Sequence, residues 1–233
     1  MIKLIEPFVV ILPGAGSGLR FDSDTPKQFQ SLEGKLVIDY SIDLFLTFNE
    51  CKRIIIALPD IHSLDEKVKK DERIRIIEGG DSRADSVKEG FKMLMSLGHK
   101  QHILIHDVAR PCLQLADVQS FLNIFSSSKA DGMIFAKPST DTLKSSKDGK
   151  VIDNTIDRSL VWEAQTPQIF NSQKLSEAYH SYAGDLGKVT DESSLFDNKK
   201  ENILLFKSPS NNMKITNPGD LQLAEHLIRS FKE

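Results

Sequence analysis

Apolar residues fall into two rhythms along this chain. Continuous short runs recur at Val9–Leu12, Arg53–Leu58, Arg73–Glu78, His102–His106 and Gly132–Ala136. Apolar runs of that length, with little polar alternation, predict strands buried on both faces, as in a parallel sheet. Between them the spacing changes to three and four. Val37, Ser41, Leu44, Phe45 and Phe48 form one stripe. Val87, Phe91, Leu94 and Met95 form a second, ended by Gly98, and Val118, Phe121, Leu122 and Phe125 a third. These stripes predict amphipathic helices. Ile203–Phe206 predicts one more strand, and Asn217-Pro218, an N-cap followed by proline at the first helical position, opens a last helix carrying Leu221, Ala224, Leu227 and Ile228.

The alternation predicts an α/β fold: a single Rossmann-like domain with a mainly parallel sheet, right-handed crossovers and helices on both faces. Lys137–Asp157 breaks the rhythm. Asp148-Gly149 is a hairpin-turn signal between two short extended pieces, Asp141–Lys144 and Val151–Asn154. The expectation is a β-arm protruding from the sheet; the alternative is a flexible surface loop.

Composition narrows the class. The chain has 233 residues, enough for one α/β domain, of which 27% are charged and 39% hydrophobic. A net charge of −3 argues against non-specific nucleic-acid binding, which needs a basic surface. Cys51 and Cys112 are too few for a disulfide framework, so a reduced cytosol is the simpler expectation, with both thiols buried as small apolar groups. No run approaches 18 apolar residues, and Glu6-Pro7 precedes the first, too short to be a signal segment. No membrane partner is expected, and the location expected is cytoplasmic, in a bacterium.

Candidate chemistry starts where the first strand ends. Phe8–Leu12 runs into Pro13-Gly-Ala-Gly-Ser-Gly-Leu-Arg20, and Pro26-Lys-Gln28 follows. Gly14, Gly16 and Gly18 let the backbone turn tightly, and amides in such a loop converge on anionic oxygens. Arg20 and Lys27 add full positive charges. The combination predicts a nucleoside triphosphate site. It is not a Walker loop, since Gly-Lys-Ser/Thr is missing. It is not the dinucleotide fingerprint either, since Leu19 or Phe21 would occupy the third glycine position. In an open α/β sheet ligands bind beyond the carboxyl ends of strands, where Gly79-Gly80-Asp81 and Asp107 also fall. Asp107 is a candidate Mg²⁺ ligand, with most of the metal's oxygens coming from phosphate; the alternatives are a turn cap or a pair with Arg110. His106 reads as a hydrogen-bonded strand-end residue. No hydrolase triad or zinc spacing is present.

Further motifs follow in order: Gly79–Ser86 (Gly-Gly-Asp-Ser-Arg-Ala-Asp-Ser), His106-Asp-Val-Ala-Arg-Pro111, Asp141-Thr142, Thr155-Ile-Asp-Arg158, Gln165-Thr-Pro-Gln168, Thr190-Asp-Glu192 and Met213-Lys-Ile-Thr216. Together with the glycine loop they resemble the 2-C-methyl-D-erythritol 4-phosphate cytidylyltransferase family, from about residue 8 to about 228. The resemblance implies transfer of CMP from CTP to that polyol phosphate, with release of pyrophosphate, in the non-mevalonate isoprenoid pathway, with Mg²⁺ or another divalent cation as cofactor. It implies nucleotide contacts from Gly14, Ala15, Gly16, Gly18, Arg20, Lys27, Gly80, Asp81, Ser86 and Asp107, with Gly80–Ser86 reading the cytosine. The acceptor side would hold Asp107, Arg110, Thr142, Arg158, Thr166, Thr190 and Lys214, and the catalytic cations would be Arg20, Lys27, Lys214 and Arg158. The arm at 137–157 would hook around a second subunit of a homodimer and carry Thr142 and Arg158 to the partner's site. Gly14, Leu19 and Val108 depart from the family pattern, and Val108 is the departure that would crowd a ligand. The alternatives are a ribitol-5-phosphate cytidylyltransferase and a nucleotide-binding regulator without turnover. Ser86 or Asp85 as a plain helix cap is the alternative for the base-reading segment.

Overall fold

A computed structural model describes residues 4–15, 25–59, 71–186, 189–197 and 199–231. Gly16, Gly18, Leu19 and Arg20 lie outside the described residues.

Seven strands form the main sheet: β1 (Phe8–Pro13), β4 (Cys51–Leu58), β5 (Ile74–Glu78), β6 (His102–Ile105), β7 (Gly132–Pro138), β10 (Trp162–Phe170) and β11 (Ile203–Lys207). Their order is β11-β7-β10-β6-β1-β4-β5. Two short pairs stand apart, β2 (Ser31–Leu32) with β3 (Lys35–Leu36) and β8 (Lys144–Ser145) with β9 (Asn154–Thr155). The described helices are α1 (Val37–Leu46), α2 (Arg83–Ser96), α3 (Leu115–Ser127), α4 (Ser172–Ser181) and α5 (Pro218–Ser230).

All six residues of β1 are buried, and the pleat explains why. Phe8, Val10 and Leu12 pack on one face with Ile38, Ile42 and Phe45 of α1 and Val118, Phe121 and Phe125 of α3. Val9 and Ile11 pack on the other with Val87, Phe91 and Leu94 of α2 and Leu175 and Ala178 of α4. A third cluster, with Leu32, Ala109, Cys112, Ile215, Ala224 and Ile228, fixes α5 against the loop after β6. Both cysteines are free and buried.

Two elements differ from the sequence reading. β10 lies antiparallel between β6 and β7, in the middle of the sheet. α4 follows it. Neither was expected: β10 is exposed over its first three residues and carries Glu163, Gln165, Thr166 and Gln168, and α4 buries only Ser172, Leu175 and Ala178. The first helix ends at Leu46, so Phe48 packs from the loop behind it. In the 137–157 stretch the extended pieces sit further along than expected, pairing Lys144 with Thr155 and Ser145 with Asn154. The turn falls where Asp148-Gly149 put it. Gly149 has φ +70°, and the Asp148 carboxylate accepts from the Lys150 and Val151 amides.

Candidate functional site

Strands β1, β4, β5 and β6 run parallel, so their carboxyl ends share one edge. From β1 the chain crosses outward to β4 and β5, then returns to β6 on β1's other side. The edge between β1 and β6 is thus a topological switch point, where open sheets leave a crevice. Gly14 leaves β1 there and Asp107 follows β6. Gln28, 2% exposed, donates from Nε2 to the Gly14 carbonyl at 2.6 Å and ties the loop's start to the Pro-Lys-Gln step. Gly79 touches the loop so closely that a Cβ on it would lie 2.2 Å from Ala15 Cβ.

The cleft at this edge is lined by Gly14, Lys27, Gln28, Arg83, Asp107, Val108 and Lys214. Its centre is Asp107. Arg83 Nε donates to Oδ1 at 2.8 Å, Lys214 Nζ donates to Oδ2 at 2.7 Å, and Arg110 Nε stands 3.9 Å from Oδ2. Burial works against the charge, but Arg83, Lys214 and Arg110 outweigh it and hold the Asp107 carboxyl well below the ordinary carboxylate range. Lys27 Nζ donates to the Ile215 carbonyl at 3.2 Å, so Lys27 and Lys214 meet along one short segment. That segment is fixed because Ile215 is buried under α5 and its amide donates to the Ala109 carbonyl at 2.8 Å.

His106 is neutral. Burial, with Arg110 and Lys214 adding to it, pushes its pKa down to about 3 against the pull of Asp107. Thr166 Oγ1 lies 3.2 Å from Nδ1, and Nε2 lies 3.4 Å from the Arg110 carbonyl. A neutral ring satisfies both when Nε2–H donates to the carbonyl and Nδ1 accepts the threonine proton. Thr166 Oγ1 also accepts the Asp107 amide at 3.0 Å. The threonine therefore orients the aspartate's backbone, and its proton is committed to His106.

Other expected residues are placed as follows. Ser86 is fully buried, its hydroxyl donating to the Ser82 carbonyl at 2.9 Å. The cap of α2 is neither Ser86 nor Asp85 but Ser82, whose Oγ accepts the Asp85 amide at 3.0 Å. Gly80 borders this turn, and Asp81 is exposed beside it. Thr142, Arg158 and Thr190 are exposed, and none of them lines the cleft around Asp107. Arg158 donates to the Thr140 carbonyl within its own stretch. Val108 does line the cleft. A Cβ on Gly14 would sit 3.6 Å from its Cγ2 and 3.0 Å from Leu58 Cδ2, so the bare glycine leaves that wall uncrowded.

Two charged residues at the site carried no expectation. Arg83 contacts Asp107 directly, and its Nη1 also binds both oxygens of Glu192 at 3.0 Å. Glu192 is fully buried. Both lie inside motifs visible in the sequence, but nothing local marks a charge that tertiary packing will bury. Asn212 was also missed. It is 1% exposed, its side-chain amide donates to the Thr166 carbonyl at 2.9 Å, and its own carbonyl accepts from Arg110 Nη1 at 2.8 Å.

Among the described residues the cleft offers a metal one carboxylate, Asp107. Among the described residues no three His, Cys, Asp or Glu side chains converge on a cation site. A lone carboxylate suits Mg²⁺ that takes its remaining oxygens from phosphates and water. Both oxygens of Asp107 already hold cations, so a metal held there would have to replace Lys214 or Arg83. No helix among the described residues is long and apolar enough to cross a membrane.

The same fold recurs in the solved structure of 2-C-methyl-D-erythritol 4-phosphate cytidylyltransferase (IspD) from Francisella tularensis. It matches with a TM-score of 0.81 at 28% identity, over 95% of this chain and 100% of that one. Fold and cationic crevice together define an α/β nucleotidyltransferase. The 2-C-methyl-D-erythritol 4-phosphate cytidylyltransferase of Haemophilus influenzae (strain PittEE) is 36% identical over 98% of this chain and 100% of its own length. That of Alteromonas mediterranea is 34% identical over 95% of this chain and 92% of its own. Residues 8–230 match the model of the family described as IspD: 2-C-methyl-D-erythritol 4-phosphate cytidylyltransferase, and the chain belongs to that family.

Proposed function

We propose that this chain transfers the CMP moiety of CTP to 2-C-methyl-D-erythritol 4-phosphate, in the non-mevalonate route to isoprenoid precursors. A phosphate oxygen of the acceptor bonds to the α-phosphorus. The bond from that phosphorus to the bridging oxygen breaks, and pyrophosphate leaves with the electron pair. The product is 4-diphosphocytidyl-2-C-methyl-D-erythritol. The acceptor phosphate is already an anion at pH 7, so the reaction asks for no general base, and His106, neutral and fully bonded, is not one.

The difficulty is bringing two polyanions together. Family membership supplies the reaction; the observation in the molecule that carries it is Asp107 ringed by Arg83, Arg110 and Lys214, with Lys27 beside them. Preorganised cations of this kind stabilise charge that develops at the transferring phosphorus. Lys27 and Arg20 would face the triphosphate, and Lys214 would exchange its carboxylate partner for phosphate oxygens. Gly14, Ala15, Gly16 and Gly18 would cradle phosphates through backbone amides. Gly80, Asp81 and Ser86 would meet the base; since the Ser86 proton is committed within α2, its lone pairs and the neighbouring backbone would do the reading. A divalent cation, held mainly by the phosphates and by Asp107, would neutralise part of the charge.

The acceptor side would be completed by a second copy of the chain. The unit is one cytidylyltransferase domain with an arm at 137–157, working as a cytoplasmic homodimer. Thr142 and Arg158 would serve the partner's site, where Arg110, Thr166 and Thr190 form the remainder. Pyrophosphate release from CTP, measured with 2-C-methyl-D-erythritol 4-phosphate and separately with ribitol 5-phosphate, tests this. Turnover with the first and little with the second is expected. The reverse makes the chain a ribitol-phosphate enzyme, and no release with either leaves a nucleotide binder.

A further inference from the structure

Arg83 sits where a helix least favours a cation. It is the first residue of α2, directly after the Ser82 cap, at the positive end of the helix dipole. Propensity and dipole do not explain it, and its partners do. On one side its Nε donates to Asp107 Oδ1 at 2.8 Å. On the other its Nη1 holds both oxygens of Glu192 at 3.0 Å. Glu192 is fully buried, Asp107 is 6% exposed, and Arg83 Nη2 is buried with no hydrogen-bond partner. Glu192 comes from the 3-10 turn Glu192–Phe196, which begins two residues after Thr190 and whose own cap, Asp191, accepts from Gln168 Nε2 at 2.8 Å on β10. Burial alone would lower the Arg83 guanidinium, but Glu192 and Asp107 outweigh it and hold it in its charged form. Burial raises the Glu192 carboxyl, and Arg83 opposes that rise.

We infer that Arg83, clamped by Glu192, is a positioning residue that keeps the Asp107 carboxylate aimed while Lys214 leaves it for the phosphates. The inference rests on the proposed CTP reaction at this cleft. Of the three described cations around Asp107, Lys214 is the most exposed and the least anchored, on a flexible stem. Arg110 is held through the Asn212 carbonyl. Arg83 alone is fixed from behind by a second carboxylate. When an anion draws Lys214 away, a carboxylate without Arg83 could swing after it and cancel its charge. The clamp prevents that and ties the segment behind Thr190 to the nucleotide side of the crevice.

Removing one partner strands a buried charge, whereas replacing both with apolar groups of similar size leaves the fold intact. The test is therefore the double substitution Arg83→Met with Glu192→Leu, alongside Arg83→Lys, whose single ammonium cannot span both carboxylates. Thermal melting, kcat and KM for CTP are measured. For the double variant we expect an unchanged melt, kcat lower by about 30-fold and KM for CTP within about threefold. If the double variant does not fold, Arg83→Lys must show the same fall in kcat. A folded variant with kcat within about twofold, or with KM for CTP raised as much as kcat falls, overturns the positioning role. No pyrophosphate release by the unsubstituted protein overturns the reaction itself, and the positioning role with it.

Discussion

The Asp107 cleft and the 139–162 stretch are built on opposite principles. Among the described residues of the cleft every ionisable group is on or beside a rigid element and engaged. Asp107, Arg83, Arg110 and Glu192 are interlocked, and Thr166, His106 and Asn212 sit behind them. In the other region the ladder is two residues long. Thr142 and Arg158 are exposed, and Val151, Ile152 and Leu160 are 66, 62 and 81% exposed. A two-stranded ladder is marginal in water, and exposed apolar groups gathered on one are costly unless something covers them. The chain thus completes one half of its proposed site by itself and presents the other half uncovered.

The sharpest way to break that contrast is at Lys27. Lys27→Ala should lower kcat roughly 10²–10³-fold, about 3–4 kcal/mol, with a small change in CTP binding, because a charge aimed at the transition state acts differentially. Steady-state kinetics check this, and a kcat within about threefold of wild type removes Lys27 from the catalytic role.

Next is Arg158. Losing a charged hydrogen bond to phosphate costs about 1.5–3 kcal/mol. Arg158→Ala should thus raise KM for the acceptor by roughly 10–100-fold, while the melting temperature stays put, as expected for an exposed side chain. Mixing it with Lys27→Ala should restore activity if the residue serves a partner. If subunits exchange, shown by labelled chains, and activity stays absent, Arg158 acts within its own chain.

A smaller effect compares matched threonines. Thr166→Val leaves the buried Asp107 amide without its acceptor and His106 Nδ1 without its donor, and should cost about 1–3 kcal/mol of stability. Thr142→Val, exposed, should stay within about 0.5 kcal/mol. Urea unfolding of the pair measures the difference, and equal values would erase the contrast between the regions.

The last is a slope. His106 has its folded pKa lowered from 6.5 to about 3. Between those values the unfolded chain holds a proton that the native chain does not. Stability from this group is complete above about pH 6.5 and falls as pH drops toward 3, by about 1.4 kcal/mol per pH unit. The raised Glu192 tilts in the opposite sense, so the test is differential: His106→Asn should flatten the acid side of the stability profile relative to wild type. Parallel profiles would mean that His106 titrates normally.

The interior parallel strands were legible because burial on both faces writes itself as an unbroken apolar run, as in Phe8–Leu12. β10 was not. Trp162-Glu-Ala-Gln-Thr-Pro-Gln-Ile-Phe170 contains one proline and four polar residues, and its ladder is interrupted between Ala164 and Gln168. Its central place follows from its neighbours rather than from its own pattern. Asp107, Lys27 and Lys214 were legible as motif residues converging on one strand edge. Arg83 and Glu192 were not, because two opposite charges 109 positions apart reveal nothing until the fold buries them together. One signal was available: an arginine at the start of a helix opposes the dipole, and a cation set against the local field invites a search for the carboxylate that holds it.

The place of β10 also sets an order of assembly. β5, β4, β1 and β6 are complete by Ile105, yet β6 stays an open edge until Trp162–Phe170 has been made and laid beside it. β7 and β11 have no route into the sheet except through that same strand. As the chain emerges from a ribosome, a four-stranded half with a bare, apolar margin waits through more than fifty residues for the piece that closes it, and the remaining strands join only afterwards. An open strand edge of that kind is a template for pairing with another chain for as long as the interval lasts.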